Sequence, residues 1–591
     1  MQGYRVPKAN DAASGIYNPA VFEGAVLSGT GVRVRSNVPI AMRDGVRLSG
    51  DLFVPAGDGP FPTVLVRTPY DNSLPQHVTR ARHLADAGYA VVLQDVRGRF
   101  DSEGVYVPFR NEGLDGFDTQ EWVGAQPWSN GRIGMIGGSY EGWTQWTTMP
   151  LGSRFLMATV PSVMATNLHR GLVYRGGALN LGVLLTWGLR TSGHTRQRVD
   201  DIDWTEAFRT LPLSRTALAA AQDIPHWREW LAHEAEDDWW APVDIDAQWE
   251  AVSTPALLTG GWYDLYASDT FASFAGLRAR GTGNARRSHL VVGPWPHALS
   301  ASTTTGGVDF GARSMIDLQG LEDRWLDHWL RDAANAMDRE APVRIFVMGA
   351  NTWRDADGWP LPETELRPWY LHSGGAANTL QGDGTLSTAA PSDESADTFV
   401  YDPDYPVQTR GGCNCCQPDI IPWGPYDQRD LEMRSDVLVY TSAPLERELT
   451  VIGNVRFVLW AATDGPDTDW TAKLVDVRPS GFAANLCDGI VRGRWRRAQA
   501  MDASAADRRA PVALEPGRAE RYEIDLMVTG NTFLAGHRIR VEISSSNFPR
   551  FDRNPNTGAR FGADAMVRRA RQTVLHDAGH PSHIVLPVVP S

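Results

Sequence analysis

Cysteine is scarce in this chain, and long apolar runs and basic clusters are missing from it. Four cysteines among 591 residues exclude a small disulfide-stapled scaffold. No apolar stretch reaches the ~18 residues that a membrane helix needs. The net charge of −14 and the lack of any basic run argue against nucleic acid as a partner. We therefore expect a protein that binds neither membranes nor nucleic acid.

The opening residues, 1–19, lack the apolar core of a secretory signal, so we expect a cytoplasmic protein; whether a signal was removed stays open. What the chain does contain is typical of globular proteins. Hydrophobic residues make up 42% and charged residues 21% of its length, a composition that suits two or three domains with cores of their own. Its 22 tryptophans are many for this length, and aromatic residues serve both cores and apolar pockets.

Short apolar runs alternate with helical patterns in the first third of the chain. This alternation predicts a parallel sheet covered by helices on both faces, that is, an α/β fold. The predicted strands are 63–67, 89–94 and 132–136, and the predicted helices are 77–87, 113–125 and 141–149.

Strand patterns vanish between residues 163 and 250 and resume at 255–259 and 289–292, before a helix predicted over 318–337. The gap predicts a helical insertion that lies over the sheet as a cap. After Pro342 many short β runs follow, which is typical of an antiparallel sandwich or jelly roll. The sequence thus predicts a core in two parts, a helical cap between them and a C-terminal all-β jelly-roll domain. Their bounds are 1–162 and 251–341 for the core, 163–250 for the cap and 342–591 for the jelly roll.

Residues 137–142, Gly-Gly-Ser-Tyr-Glu-Gly, have the form of a nucleophile elbow centred on Ser139. Such an elbow is a sharp turn from a strand into a helix that lifts the serine hydroxyl into a cleft, and small neighbours avoid collisions in the turn. Here an apolar strand precedes Ser139, and the helix after it is expected to stop at Pro150. A serine hydroxyl alone is a weak nucleophile. The chain must therefore also supply a base, a group that orients the base, and an oxyanion hole.

Asp264 and His297 are the candidates for the orienting group and the base. Each stands in a turn-rich loop directly after a predicted strand, and the order Ser, Asp, His is that of α/β-hydrolase triads. Asp264 would hold the His297 ring in the tautomer that accepts the serine proton. Taken singly, an Asp after a strand is more often a turn former, and a loop His is more often a surface residue. Order and spacing together favour the triad Ser139, Asp264 and His297.

The oxyanion hole needs two hydrogen-bond donors near the developing charge. One is the backbone N–H of Tyr140, the residue after the nucleophile. The second is expected from the loop after strand 63–67, where Pro69 and Tyr70 stand. A tyrosine hydroxyl, with a reference pKa near ~10, stays protonated at neutral pH and can donate as a backbone amide does. The alternative is a simple turn with a packed ring, but the position favours Tyr70 as a donor.

Several motifs along the chain match those of a known family: Gly-Gly-Ser-Tyr-Glu-Gly (137–142), Arg-Thr-Pro-Tyr-Asp (67–71), Gly-Trp-Tyr-Asp (261–264), Gly-Pro-Trp-Pro-His (293–297), Asp-Val-Arg-Gly (95–98), residues 467–474 and residues 544–551. On these motifs the chain resembles the cocaine esterase and α-amino acid ester hydrolase family, which includes cephalosporin acylases and is related to X-Pro dipeptidyl peptidases. The resemblance implies an α/β-hydrolase core, a helical cap and a C-terminal jelly roll. It also implies a serine acyl-enzyme mechanism with the Tyr70 hydroxyl and the Tyr140 N–H as oxyanion donors, and a homo-oligomer.

One departure from the family pattern concerns the acyl group. Members that act on α-amino acid esters carry extra acidic residues just beyond the triad aspartate, whereas here only Asp269 follows Asp264 nearby. We therefore expect a small-molecule substrate with an apolar or aromatic acyl group. The resemblance places Trp187 and Tyr266 in the acyl pocket and, with less support from the gapped cap region, Tyr174. Each of these three could equally be a core residue.

Cys413, Cys415 and Cys416 lie within four residues of each other, and Cys487 is distant. Cys-x-Cys-Cys lacks the two-residue spacing of common structural zinc sites, so reduced thiols are expected, and a pairing with Cys487 stays open for an oxidising compartment. The run Asp464, Asp467 and Asp469 is expected to be a solvated turn rather than a calcium loop. The sequence predicts neither a cofactor nor a metal.

Two classes of function follow from these observations. The first is a serine hydrolase that cleaves carboxylic esters through an acyl-enzyme on Ser139, or amides as an acylase or peptidase, because both reactions use the same triad. The second is a carbohydrate-binding jelly-roll protein whose hydrolase core is degenerate. The intact triad and Tyr70 favour the enzyme.

Overall fold

The computed structural model describes residues 31–590. Residues 1–30, which the sequence analysis placed at the start of the core, and Ser591 lie outside the described residues. The first segment alternates strands and helices as expected. Its elements are β1 (Arg33–Ala41), β2 (Arg47–Val54), β3 (Phe61–Thr68), α1 (Pro75–Asp86), β4 (Ala90–Asp95), α2 (Glu112–Gly124), β5 (Ser129–Gly138), α3 (Tyr140–Trp146) and β6 (Leu156–Ser162).

The predicted insertion after β6 is largely helical. It also contains a short hairpin, β7 (Tyr174–Arg175) with β8 (Ala178–Leu179). Its helices are α4 (Leu181–Thr191), α5 (Trp204–Arg209), α6 (Thr216–Ala220) and α7 (Pro225–Ala232).

The chain then returns to the first sheet. The elements of this segment are β9 (Leu257–Gly261), α8 (Ala267–Arg280), β10 (His289–Gly293), β11 (Thr304–Thr305), β12 (Val308–Asp309), α9 (Leu318–Arg331), β13 (Val343–Val347) and β14 (Thr352–Ala356). The strand order of the sheet is β1-β2-β4-β3-β5-β6-β9-β10-β13-β14. Neighbours from β4 to β13 run parallel, and the pairs β1–β2, β2–β4 and β13–β14 are antiparallel. The sheet therefore has a parallel centre and antiparallel pairs at both ends.

The first sheet extends further along the chain than the predicted boundary at 341/342. The run 343–348, assigned from sequence to the β domain, forms β13 beside β10, and β14 pairs with β13 through Phe346 and Trp353. Buried apolar alternation looks the same in the last strand of one sheet and the first strand of the next, so sequence could not separate them.

The rest of the chain forms the predicted all-β C-terminal domain. It has one sheet of eleven strands in the order β17-β24-β19-β25-β15-β16-β18-β23-β20-β21, with β22 beside β19. Its elements are β15 (Glu365–His372), β16 (Thr385–Ser387), β17 (Asp397–Tyr401), α10 (Arg429–Glu432), β18 (Leu438–Ser442), β19 (Leu449–Thr463), β20 (Asp469–Val477), β21 (Ala483–Arg492), α11 (Ala505–Arg509), β22 (Glu520–Phe533), β23 (Arg538–Ser544), β24 (Ala570–Leu575) and β25 (His583–Val589).

Two helices end earlier than predicted. The helix predicted over 318–337 ends at Arg331, because Asp332 adopts a left-handed backbone with φ of 56°. The helix predicted over 141–149 ends at Trp146. There the chain tightens, because the Thr148 N–H donates to the carbonyl of Gln145, three residues back, instead of four.

The main hydrophobic core is continuous across all three parts of the molecule, with Ile133 of the core, Leu184 of the cap and Phe457 of the β domain in one cluster. This continuity fixes the cap and the β domain against the edge of the sheet where Ser139 lies. Among residues 31–590, no helix is both long enough and apolar enough to cross a membrane.

Candidate active site

Ser139 stands on a strained turn between β5 and α3. Its φ is 56° and its ψ is −127°, a conformation that is costly for a residue with a side chain. Gly137 has φ of 130°, and a Cβ there would lie 2.5 Å from the Cβ of Glu141. A Cβ on Gly142 would lie 3.1 Å from the Ser162 carbonyl oxygen. The two glycines therefore give the elbow the space that the sequence motif predicts.

Asp264 and His297 meet because β9 and β10 are parallel neighbours whose last residues, Gly261 and Gly293, are paired. Their loops therefore leave the sheet at the same edge. A Cβ on Gly261 would lie 2.1 Å from the Trp295 carbonyl oxygen, so glycine is required for the two loops to touch. The outcome is a hydrogen bond of 2.8 Å between His297 Nδ1 and Asp264 Oδ1, both residues being buried. Because Nδ1 takes part in this hydrogen bond, Nε2 is the ring nitrogen that can accept a proton.

Tyr70 lies beside the nucleophile, as expected of an oxyanion donor. Its hydroxyl oxygen accepts a hydrogen bond from Trp187 Nε1 at 3.2 Å, and the Ser139 side chain lies beside that hydroxyl. Burial raises the pKa of Tyr70 to about 12. The hydroxyl therefore keeps its proton at any pH at which the protein would work, and can donate it to an oxyanion.

The side chain of Tyr140 is fully engaged, so only its backbone N–H is left for the predicted role of oxyanion donor. The Tyr140 hydroxyl donates to Glu112 Oε1 at 2.8 Å and accepts from the Phe109 N–H at 2.8 Å. As the first residue of α3, Tyr140 has an N–H without an acceptor inside the helix. The Glu141 side chain packs under the elbow and contacts His77 Nε2 at 2.9 Å.

Ser139 lies between two cavities of different character. Ser139, Tyr70, Trp187 and Cys416 line both of them. The first cavity, called the outer cavity here, is otherwise lined by Leu74 and by six residues with polar or charged side chains: Arg99, Arg190, Thr191, Arg196, His297 and Gln417. The inner cavity is apolar and is otherwise lined by Phe109, Tyr140, Met164, Leu172, Val183, Leu184, Tyr266 and Cys415. The described residues that line them include no Asp or Glu.

Two of the three predicted acyl-pocket residues reach this place. Trp187 lines both cavities, and Tyr266 lines the inner one with its ring centroid 6.0 Å from that of His297. Tyr174 does not line either cavity. Its hydroxyl donates to the Trp230 carbonyl and its ring packs against Phe561, so it borders a separate cavity between the cap and the β domain. The structure does not bring Tyr174 to the cavities at Ser139, because the hairpin β7–β8, a turn that helical periodicity does not reveal, redirects the chain there.

Comparison with known proteins gives the family. A model described as X-Pro dipeptidyl-peptidase (S15 family) matches residues 44–299, and one described as X-Pro dipeptidyl-peptidase C-terminal non-catalytic domain matches residues 335–585. The cocaine esterase of Rhodococcus sp. (strain MB1 Bresler) is 38% identical over 94% of this chain and 98% of that relative. This chain belongs to the S15 family.

Two solved structures agree with the S15 assignment. An aminopeptidase from the marine sediment archaeon Thaumarchaeota archaeon has a TM-score of 0.80 and 27% identity, covering 100% of this chain and 99% of that chain. An α-amino acid ester hydrolase also has a TM-score of 0.80, with 26% identity, covering 96% of this chain and 99% of that one. The protein is therefore a serine hydrolase with an α/β-hydrolase core and a C-terminal all-β domain.

The cysteines differ from the expectation of reduced thiols. Cys415 and Cys416 form a disulfide between adjacent residues, while Cys413 and Cys487 are free and buried. The pairing with Cys487 left open by the sequence is not formed. Cys416 has φ of 75°, a left-handed backbone that few side chains adopt. The sequence did not predict that Cys415 and Cys416 line the cavities at Ser139. Their segment belongs to the β domain, and only the folded structure brings it next to the hydrolase core.

Proposed function

We propose that this protein hydrolyses carboxylic esters with small apolar or aromatic acyl groups, through an acyl-enzyme on Ser139. The observation that carries the proposal is that the nucleophile and the tyrosine donor line both an apolar cavity and a cavity that presents three arginine side chains. The acyl group would occupy the apolar cavity, and the leaving group would face the arginine-lined one. Carboxylic esters are also what the names of the cocaine esterase and the α-amino acid ester hydrolase describe for those relatives.

The geometry suits the two half-reactions. His297 would accept the Ser139 proton at Nε2 while Ser139 Oγ bonds to the ester carbonyl carbon, with Asp264 stabilising the imidazolium. The carbonyl oxygen becomes an oxyanion, to which the Tyr70 hydroxyl and the Tyr140 N–H would donate. His297 would then protonate the departing alkoxide. In the second half-reaction it would take a proton from the water that attacks the acyl-enzyme, and return it to Ser139 Oγ as the bond from Oγ to the acyl carbon breaks.

The residues that line the cavities help to decide whether the acyl group of the substrate carries an ammonium group. A substrate with a free α-ammonium group needs a carboxylate near the acyl cavity, and the described lining has none. Asp269, the one acid near the triad aspartate, is paired with Arg175 at 3.1 Å and borders the separate cavity beside Tyr174. This favours acyl groups without an ammonium over amino acid esters and over peptides read by their N-terminus. The alternative of a carbohydrate-binding protein with a degenerate hydrolase core is no longer supported, since the chain is a serine hydrolase.

A covalent label tests the nucleophile. A fluorophosphonate probe is expected to react with the wild type and not with Ser139→Ala. Ser387→Ala is the matched control: Ser387 Oγ lies 3.0 Å from His372 Nε2, and His372 Nδ1 lies 2.8 Å from Glu394, yet no elbow holds this serine. Labelling of Ser139→Ala would contradict the proposal.

The substrate class is tested with p-nitrophenyl esters of increasing acyl size and with the matching p-nitroanilides. We expect kcat/KM to be higher for benzoyl and butyryl esters than for their anilides and for α-aminoacyl esters. A preference for anilides or for α-aminoacyl esters would replace the proposal with an acylase or peptidase function.

A further inference from the structure

The Cys415–Cys416 segment is built into the catalytic site although it belongs to the β domain. Cys416 lines both cavities and Cys415 lines the apolar one. The thiol of Cys413 points to the Trp262 carbonyl at 3.4 Å and so ties the segment to the loop that carries Asp264. The left-handed backbone of Cys416 is a strained conformation at a functional site. The hydrolytic mechanism uses neither sulfur.

The two sulfurs converge on the catalytic histidine. One ligand atom each from His297, Cys415 and Cys416 lie within 4.8 Å of one another, and all three residues are buried. Two thiolates and one imidazole are a ligand set that Zn²⁺ prefers, with S and N bonds of about 2.3 and 2.0 Å. The spacing Cys-x-Cys-Cys alone did not predict a zinc site, because the third ligand, His297, lies in the loop after β10.

A second observation supports a metal at this place. His297 already holds a hydrogen bond from Nδ1 to the buried carboxylate of Asp264 at 2.8 Å. Carboxylate–histidine pairs of this kind orient most metal-binding histidines, because they fix the tautomer and leave the other nitrogen to the metal. The same pair that prepares Nε2 to accept the serine proton therefore also prepares it to bind Zn²⁺.

We propose that, when the Cys415–Cys416 disulfide is reduced, both thiolates and His297 bind a zinc ion that shuts off hydrolysis. Reduction adds two electrons and two protons to the disulfide, supplied by a thiol or phosphine reductant, which is oxidised. Zinc binding then releases the two thiol protons and forms two Zn–S bonds and one Zn–N bond. The zinc occupies the His297 lone pair that must accept the Ser139 proton. The inhibition rests on the proposed function of His297, whereas the metal binding does not.

Metal binding is measured first, without reference to activity. The full chain is treated with tris(carboxyethyl)phosphine, freed of it by anaerobic desalting, and dialysed against Zn²⁺, in parallel with untreated protein. We expect the reduced protein to hold about one zinc equivalent more than the oxidised one. With Co²⁺ in place of Zn²⁺, the reduced protein should show the near-ultraviolet charge-transfer band of thiolate ligands.

Variants separate this site from other zinc binding. Cys415→Ser/Cys416→Ser should lose the extra equivalent and the cobalt band. His297→Ala should keep the thiols but bind zinc at least about tenfold more weakly. Cys487→Ser, which removes a buried free cysteine elsewhere in the β domain, should behave as the wild type. Equal zinc binding by reduced and oxidised protein, or undiminished binding by the double variant, would overturn the metal site.

Inhibition is measured last, each variant being compared with its own zinc-free activity. Zinc should lower kcat/KM of the reduced wild type at least about tenfold, reversibly with a chelator, and leave the oxidised wild type and the reduced double variant unchanged. Zinc that binds through the cysteines without slowing hydrolysis would overturn the inhibitory role. If the zinc-free protein hydrolysed no ester in either state, the proposed function would fail while the binding result still decided the metal site.

Discussion

A single hydroxyl, that of Tyr70, lies beside both the Ser139 side chain and Trp187 Nε1. Tyr70→Phe keeps the ring and its edge-on contact with Tyr140 at a centroid distance of 6.4 Å, and removes only the hydroxyl. Since the oxyanion is absent from the bound substrate and forms only on the way to the tetrahedral intermediate, we expect kcat to fall about 10²–10³-fold with little change in KM. Steady-state kinetics on a p-nitrophenyl ester measure both. A rise in KM at constant kcat would mean that Tyr70 binds substrate instead.

Two neighbouring leucines of α4 allow a controlled test of the acyl cavity. Leu184 and Leu185 are both fully buried, but of the two only Leu184 lines the inner cavity. Each change to alanine should cost about 2–5 kcal/mol of stability. Only Leu184→Ala should enlarge the cavity, and we expect it to shift the kcat/KM ratio of benzoyl to acetyl esters upward by about tenfold. The same shift in Leu185→Ala would show that loosening of the cap, not cavity shape, sets the preference.

Residues that follow a strand could be placed from the sequence, and residues that depend on distant contacts could not. Asp264 and His297 were predictable because each comes directly after an apolar strand, and parallel neighbours end at the same edge. Cys415 and Tyr174 were not, because whether a side chain faces Ser139 depends on how the β domain and the cap close over the sheet. Local periodicity carries no information about that closure.

At the scale of elements, β17 and β24 are joined by a buried ionic cluster. Asp397 of β17 accepts from His576 Nε2 at 2.9 Å, from the Tyr440 hydroxyl at 2.7 Å and from the Ala377 N–H at 2.7 Å. Burial by itself would raise the pKa of Asp397, but the hydrogen bonds from His576 and its neighbours outweigh it and lower that pKa. Burial would lower the pKa of His576, but Asp397 and Glu394 outweigh it and raise that pKa.

These shifts give the cluster a pH window. The contribution of His576 to stability is complete below its ordinary pKa of 6.5 and is lost as pH rises through its higher folded-state pKa. The contribution of Asp397 is complete above its ordinary pKa of 3.8 and is lost as pH falls through its lower folded-state pKa. Both contributions are therefore complete between pH 3.8 and pH 6.5, the ordinary pKa values of Asp397 and His576.

The His576→Asn variant tests this window. We expect it to lower the free energy of unfolding by about 1–3 kcal/mol at a pH inside the window, because a buried carboxylate loses its charged partner. The difference from wild type should shrink at alkaline pH. Urea unfolding followed by tryptophan fluorescence at several pH values measures it. His580→Asn, which removes a partly exposed pair with Asp577, should change little throughout. A difference that grows toward alkaline pH would contradict the assignment.

At the scale of the whole molecule, Arg492 joins the cap to the β domain. Its guanidinium donates to Asp469 at 2.8 and 2.9 Å and to Asp552 at 2.9 Å, and all three side chains are 1% exposed. Asp552 accepts from the Leu179 N–H at 2.7 Å, and the Arg492 N–H donates to the Gly176 carbonyl at 2.8 Å, so the network reaches the hairpin β7–β8 of the cap.

This network also corrects the expectation of a solvated turn at residues 464–469. Asp464 accepts from the Arg571 N–H at the surface, but Asp467 and Asp469 are buried. Asp467 lies beside Arg494 at 3.5 Å, and Asp469 is bound by Arg492. Whether a carboxylate is solvated depends on a cation that is distant in sequence, and a short run of aspartates does not disclose that partner.

Removing the cation tests how firmly the cap is held. Arg492→Met leaves two buried carboxylates without their partner, and we expect the free energy of unfolding to fall by about 3–5 kcal/mol. The cap should also become the first site of cleavage in limited proteolysis, because Asp552, whose carboxylate holds the Leu179 N–H of the hairpin β7–β8, loses its cation. Arg518→Met is the matched control, since Arg518 is 63% exposed and pairs with Glu515 at 3.2 Å on the surface; it should cost less than about 1 kcal/mol. If Arg492→Met cost no more than this control and left the cleavage pattern unchanged, hydrophobic packing alone would hold the cap over Ser139. In that case Leu184→Ala, rather than Arg492→Met, should be the variant that exposes the cap to protease.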